Sequence, residues 1–164
     1  PTLTSPPILQ TTHLNWPDEA ACARFAADWA TRPALRDAAI DLDGGLGAGK
    51  TTLVRHLLRA LGVTGRVKSP TFAVVEPYEV QQAGGPPLRI SHFDFYRFSD
   101  PREWEDAGFR ELFSSPGLKL SEWPGNAAPA LPQPDVRVRI EVLADDSRQV
   151  ELQALTPRGV ELIR

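Results

Sequence analysis

The sequence predicts an α/β fold of three layers, in which a mixed central sheet is flanked by helices and closed by a C-terminal antiparallel hairpin. Three observations carry this expectation. An apolar run, a cluster of glycines and an amphipathic run follow one another over residues 37–61. Strand-like and helix-like segments alternate beyond them. Residues 136–155 then alternate apolar and polar side chains around an acidic turn.

Taken in order, the chain opens in an extended segment. Asn15-Trp16-Pro17-Asp18-Glu19 reads as a helix entry, with a capping side chain, a proline and acids beside it. Ala21, Phe25 and Trp29 recur every fourth residue, and the helix should end near Arg32-Pro33. Ala38, Ala39, Ile40 and Leu42 form a buried strand. The amphipathic run of Leu53, Val54, Leu57, Leu58 and Leu61 forms a helix that Gly62 closes. Strands are expected at 73–75 and 78–80, a hairpin loop at 81–87, and a strand from Leu88 to Phe93 running into Asp94. Pro101 opens a short helix containing Trp104 and Glu105, and another turn starts at Gly108. Leu118-Lys119-Leu120 makes a strand that ends at Glu122-Trp123-Pro124. Val136, Val138, Ile140 and Val142 pair through Asp145-Asp146-Ser147 with Val150, Leu152 and Leu155.

The glycines carry the chemistry. Gly44-x-x-x-x-Gly49-Lys50-Thr51 fits the phosphate-binding loop, in the strand–loop–helix context that loop requires, so the fold is expected to be P-loop NTPase-like. A nucleotide phosphate is a dense anion, best held by backbone N–H groups converging from a nest and a helix N-terminus. Gly44, Gly45, Leu46, Gly47, Ala48, Gly49, Lys50, Thr51 and Thr52 are therefore the candidate nucleotide-binding residues. Lys50 would reach the β- and γ-phosphates, and Thr51 would place its hydroxyl on Mg²⁺. The plainer alternative is a glycine turn before an ordinary helix.

Hydrolysis also needs an acid near the metal. Asp94 ends a strand, where open α/β sheets bind their ligands, so it would hold Mg²⁺ directly or through water. Taken alone, it reads equally well as a turn aspartate. Glu122 ends another strand and is the second candidate acid. His92 shares a strand face with Asp94 and reads as a hydrogen-bonded structural imidazole. Arg97 would neutralise phosphate charge or pair with Glu111. Trp123 would stack on a base or a partner, or pack into the core. Ser69 and Thr71 lie 18 and 20 residues after Thr51, where a switch loop would close on the γ-phosphate.

The 164 residues suit one domain, 1–164, with a hydrophobic share of 41% and a charged share of 24%. No apolar run approaches a membrane span, and Pro1 to Gln10 lacks a signal-peptide layout, so a cytoplasmic chain is expected. Cys22 is the sole cysteine, which excludes an intrachain disulfide. The net charge of −3 argues against independent tight binding to nucleic acid.

With these pieces aligned, the chain resembles the TsaE (YjeE) family. The resemblance rests on Leu46 to Leu53, Leu61-Gly62, Val67-Lys68-Ser69-Pro70-Thr71-Phe72, Tyr78, His92-Phe93-Asp94-Phe95-Tyr96-Arg97, Gly108, Glu122-Trp123-Pro124 and Leu131-Pro132. It implies a cytosolic ATPase that uses ATP and Mg²⁺ to support N6-threonylcarbamoylation of tRNA adenosine 37. It implies action with the TsaD–TsaB heterodimer and contact with tRNA only through that complex, with no membrane or DNA partner. It further implies that Lys50, Asp94 and Glu122 are catalytic, that Thr51, Asp94 and Glu122 form the metal site, and that Ser69, Thr71, Tyr96, Arg97 and Trp123 belong to a switch or partner surface.

Two departures stand out. Gly45 replaces the family's usual Asp, and Ala20 follows Glu19 where a threonine is usual. A GTPase is disfavoured because the chain has no Asn-Lys-x-Asp segment and Asp94 is not in Asp-x-x-Gly. The alternatives retained are a small-molecule or nucleoside kinase, and a binding switch in which hydrolysis is incidental.

Overall fold

The structure is a computed structural model that describes residues 7–67, 74–98, 108–127 and 131–164. Strand β1 (Gln10–Trp16) is followed by α1 (Glu19–Ala30), β2 (Ala39–Asp43) and α2 (Lys50–Leu61). Next come β3 (Val75–Val80), β4 (Leu88–Asp94), α3 (Phe109–Ser114) and β5 (Leu118–Glu122). The hairpin β6 (Val136–Val142) and β7 (Arg148–Ala154) precedes α4 (Pro157–Ile163). The seven strands among the described residues form one sheet in the order β1-β7-β6-β2-β5-β4-β3. The central strands β6, β2, β5 and β4 run parallel, while β7 and β3 run antiparallel to their neighbours. This is the α/β class with a mixed sheet and a C-terminal hairpin that the sequence predicts.

Parallel strands are buried on both faces and need covering helices. One cover comes from α2, whose Leu53, Val54, Leu57 and Leu58 are buried beside Cys22, Ala26 and Trp29 of α1. They meet Ile40, Leu42, Leu120, Val136 and Val138 from the central strands. Each such aliphatic burial is worth about 1.5–3 kcal/mol. A second, aromatic cluster joins Phe93, Phe95, Phe109 and Ala127, with Phe93 and Phe95 stacked 5.6 Å apart. Phe93 and His92 are adjacent on β4 and so point to opposite faces, which separates the aromatic cluster from the α2 side.

Several boundaries differ from the expectations. The helix entry is capped by Asp18, whose side chain accepts from the Ala21 N–H at 3.0 Å, and not by Asn15. Asn15 lies in β1, where it pairs with Gln149. The extended start is thus a sheet strand that lies along β7. Of the two short strands expected at 73–75 and 78–80, Ala73 lies outside the described residues, and from Val75 to Val80 there is one strand, β3, which tolerates Pro77 because it is an edge. Helix α4 was not expected, although Thr156-Pro157 is a start signal: Thr156 Oγ1 accepts from the Gly159 N–H at 3.1 Å. Its last carbonyls are capped by Trp29 Nε1 of α1 and by Arg32 Nη1, two residues past that helix, both donating to Leu162 O at 2.9 Å. The expected helix at Pro101, with Trp104 and Glu105, lies outside the described residues.

β2 is the strand on whose two sides the others divide: β5, β4 and β3 lie on one side, and β6, β7 and β1 on the other. Its carboxyl end is therefore the switch-point crevice of the sheet. The described residues contain no helix long and apolar enough to cross a membrane.

Candidate functional site

The loop from Gly44 to Gly49 leaves the carboxyl end of β2 and enters α2. Two of its glycines are physically required. Gly44 passes so close to β6 that a Cβ would stand 2.6 Å from Ile140 O. Gly49 caps α2 at φ +115°, a backbone that side chains rarely adopt. A Gly45 O to Ala48 N–H bond of 3.1 Å tightens the loop, and Leu46 stands exposed at its tip. Ala48 is buried, and Gly45 and Gly47 have open space around them. The loop is thus a tightly turned, concave stretch of backbone at a helix N-terminus, a geometry suited to an anion.

Lys50 folds back across this concavity. Its ammonium donates to Gly44 O and, at 3.4 Å, to Gly45 O, and it lies 3.7 Å from the centroid of the Trp123 ring. Burial pulls its pKa below the usual lysine range, while Glu122, Asp94 and Asp43 act in the opposite sense. Trp123 is half-buried and holds a left-handed backbone, with φ +56°. Tyr96 is exposed with its ring 5.1 Å from Trp123. Asn126 ties these turns together by donating to Phe95 O and Tyr96 O at 3.0 and 3.2 Å.

The first hydroxyl of α2 meets an acid from β5. Thr51 Oγ1 donates to Glu122 Oε1 at 2.9 Å. Glu122 is 2% exposed, and its other oxygen lies 2.5 Å from His92 Nε2. Asp94 is the in-register neighbour of Glu122 across β4 and β5. Burial raises the Asp94 pKa, Glu122 adds repulsion, and the Tyr96 N–H, His92 and Lys50 oppose the rise. The Asp94 side chain accepts from that Tyr96 N–H at 3.0 Å. Arg97 is exposed in the same turn. Ser69 and Thr71 lie outside the described residues.

The structure therefore brings together Lys50, Thr51, Asp94, Glu122 and Trp123 from three separate segments. It also adds groups that the sequence reading did not single out. Arg148, at the start of β7, donates from Nε to Ala48 O at 2.9 Å and braces the loop from outside. A cavity of about 290 Å³ adjoins the loop, between Trp16, Glu19, Ala48, Thr52, Asp146 and Arg148. No local pattern marks Arg148, because only sheet pairing carries it to the loop. Ala20 is exposed on α1, and neighbouring Glu19 lies 2.9 Å from His56 Nε2.

The donor set suits a hard cation. Hydroxyl and carboxylate oxygens converge at Thr51 and Glu122, with Asp94 alongside. Among the described residues no group of three or more His, Cys, Asp or Glu side chains forms a metal cage. Nucleotide-bound magnesium needs no such cage, because it takes one or two protein oxygens and completes its shell from phosphates and water.

The model of the family described as "Threonylcarbamoyl adenosine biosynthesis protein TsaE" matches residues 16–150. A Haemophilus influenzae protein named tRNA threonylcarbamoyladenosine biosynthesis protein TsaE is 40% identical over 154 residues, covering 90% of this chain and 92% of its own. The chain belongs to the TsaE family. A Bacillus subtilis TsaE is 36% identical over 119 residues, covering 73% of this chain and 71% of its own. The crystal structure of Bacillus subtilis YdiB superposes with a TM-score of 0.72 at 26% identity, covering 94% of this chain and 92% of that one. The family is one of tRNA threonylcarbamoyladenosine biosynthesis. In this TsaE chain the matched span runs from Trp16 past Arg148, so both walls of the cavity and every described candidate residue lie inside it.

Proposed function

We propose that this TsaE-family chain binds and hydrolyses MgATP to support threonylcarbamoylation of tRNA adenosine 37. The observation that carries the reading is the Thr51–Glu122 hydrogen bond, formed where a glycine loop meets the N-terminus of α2. That bond joins a hydroxyl to a carboxylate next to Lys50 at the glycine loop, which supports a site for phosphate and metal.

The loop N–H groups from Gly44 to Thr52 receive the phosphates. Lys50 leaves the Gly44 carbonyl and the Trp123 face to meet them. Thr51, Glu122 and Asp94 would hold Mg²⁺, which would supply neutralisation of the phosphate charge. The base enters the cavity beside Trp16 and Arg148, which is continuous with the loop at Ala48 and Thr52. Glu122 and Asp94 stay as the acids that order the attacking water and the metal shell.

Hydrolysis works in the service of partners. The chain carries a net charge of −3, a poor surface for tRNA by itself, so it reaches tRNA through the TsaD–TsaB complex. Tyr96, Arg97 and Trp123 form the surface that reports nucleotide state to that complex; the same role is assigned from the sequence to Ser69 and Thr71, which lie outside the described residues. Turnover is slow alone, since idle hydrolysis serves no switch.

The test is ATP hydrolysis by the purified chain, alone and with TsaD–TsaB, beside Lys50→Ala. Stimulation by the pair that vanishes in the variant is the expected result. If the pair neither binds nor stimulates, the assignment falls and phosphorylation of nucleosides becomes the reaction to screen.

A further inference from the structure

We propose that His92 is a positioning residue that aims Glu122 at the metal seat and holds it away from Lys50. This rests on the MgATP reading above and adds to it a role for a residue that touches neither phosphate nor metal.

The carboxylate of Glu122 has two oxygens and two partners. Oε1 accepts from Thr51 and Oε2 faces His92 Nε2 at 2.5 Å. An ionised carboxylate only accepts, so Nε2 is the donor, and Nδ1 is the ring's other nitrogen. That second nitrogen is buried and has no hydrogen-bond partner among the described residues. A buried imidazole serving packing alone normally has both nitrogens met by protein or water. Among the described residues its only hydrogen bond goes to Glu122.

The position explains why such a bond is needed. His92 is 1% exposed on β4, and its in-register partner on β5 is Leu120, two residues before Glu122. Asp94, in register with Glu122, repels it, and the Lys50 ammonium attracts it. Left to those two charges, Glu122 would swing toward Lys50 and engage the ammonium meant for phosphate. Two tethers, one from α2 and one from β4, hold the carboxylate in line with the Thr51 hydroxyl instead. A single tether fixes one oxygen and leaves the plane free to turn; two fix the plane.

The experiment compares the full chain with His92→Phe and His92→Gln. Phenylalanine fills the space without a donor, and glutamine restores an N–H. ADP affinity is measured by calorimetry with metal removed, and again with Mn²⁺; binding of Mn²⁺ to the ADP complex is followed by paramagnetic resonance. His92→Phe is expected to keep metal-free ADP affinity and to weaken Mn²⁺ by about 10- to 100-fold, with much of the loss recovered in His92→Gln. Equal loss with and without metal, or no loss in either, overturns the assignment. If His92→Phe does not fold, a loss in folded His92→Gln as large as that 10- to 100-fold range overturns it as well. An unsubstituted chain that binds no ADP overturns the nucleotide reading, and this assignment with it.

Discussion

Thr51 and Glu122 are 71 positions apart in the sequence and share a hydrogen bond of 2.9 Å. One opens α2 and the other ends β5, so the bond joins the helix that follows the glycine loop to the strand beside β2. Around this contact the candidate site has its acids on strand ends and its cation on a helix N-terminus.

Replacement of Lys50 by alanine removes the only ammonium over the loop among the described residues. Charge-assisted hydrogen bonds of this kind are worth about 1.5–3 kcal/mol. Lys50→Ala is expected to weaken MgATP by about 10- to 100-fold and to abolish hydrolysis, as read by calorimetry and phosphate release. The same variant also loses the Lys50–Trp123 contact, so nucleotide should no longer change Trp123 emission through it. Unchanged affinity would remove Lys50 from the site.

Glu122→Ala is expected to spare nucleotide binding better than hydrolysis. It also strands the buried His92 Nε2 and the Thr51 hydroxyl, a penalty of about 1–3 kcal/mol in stability. Glu122→Gln keeps the shape and separates the two effects. Single-turnover rates and binding constants for both variants decide the point; equal loss of binding and rate contradicts the role given to this acid.

Asp41 offers a test independent of function. It is buried on β2, and its pKa is pushed up from 3.8 to about 7, first by burial and then by Asp43, against the pull of Arg137. The folded chain therefore keeps this proton between pH 4 and 7 while the unfolded chain releases it. Stability is lost as pH rises through that window, and the full penalty persists above it. Asp41→Asn should thus gain of order 2–4 kcal/mol over the native chain at pH 8, and the gain should vanish toward pH 4. Urea melts at both pH values provide the measurement. A difference that does not vary with pH contradicts it.

Gly44→Ala should destabilise the chain by about 1–3 kcal/mol, because its Cβ would collide with the Ile140 carbonyl on β6. Gly45→Ala, which meets nothing within 4 Å, is the control and should be nearly neutral. Comparable urea midpoints for the two variants would contradict the close approach of loop and β6.

Much of this protein was legible locally. The glycine spacing, the apolar face of α2, the alternation of β6 and β7, and the strand ends at Asp94 and Glu122 are patterns within a few consecutive residues. Period 2, period 3.6 and positive-φ glycines leave such marks whatever lies beyond them. The family resemblance was legible for the same reason, since its motifs are short blocks in order.

Tertiary structure alone decided which of these ends meet. Asn15 looked like a cap until β1 paired it with Gln149, because an edge strand of modest hydrophobicity carries no local signal against a helix start. Helix α4 and Arg148 reach their places only through the far side of the sheet. His92 read as a structural imidazole; its hydrogen bond to Glu122 depends on the parallel register of β4 with β5, which a separation of 30 positions along the chain leaves unmarked. Register is set by burying one face of each strand against its neighbours. That is a property of the assembled sheet, and so the amino-acid order determined the loop, while packing determined the site around it.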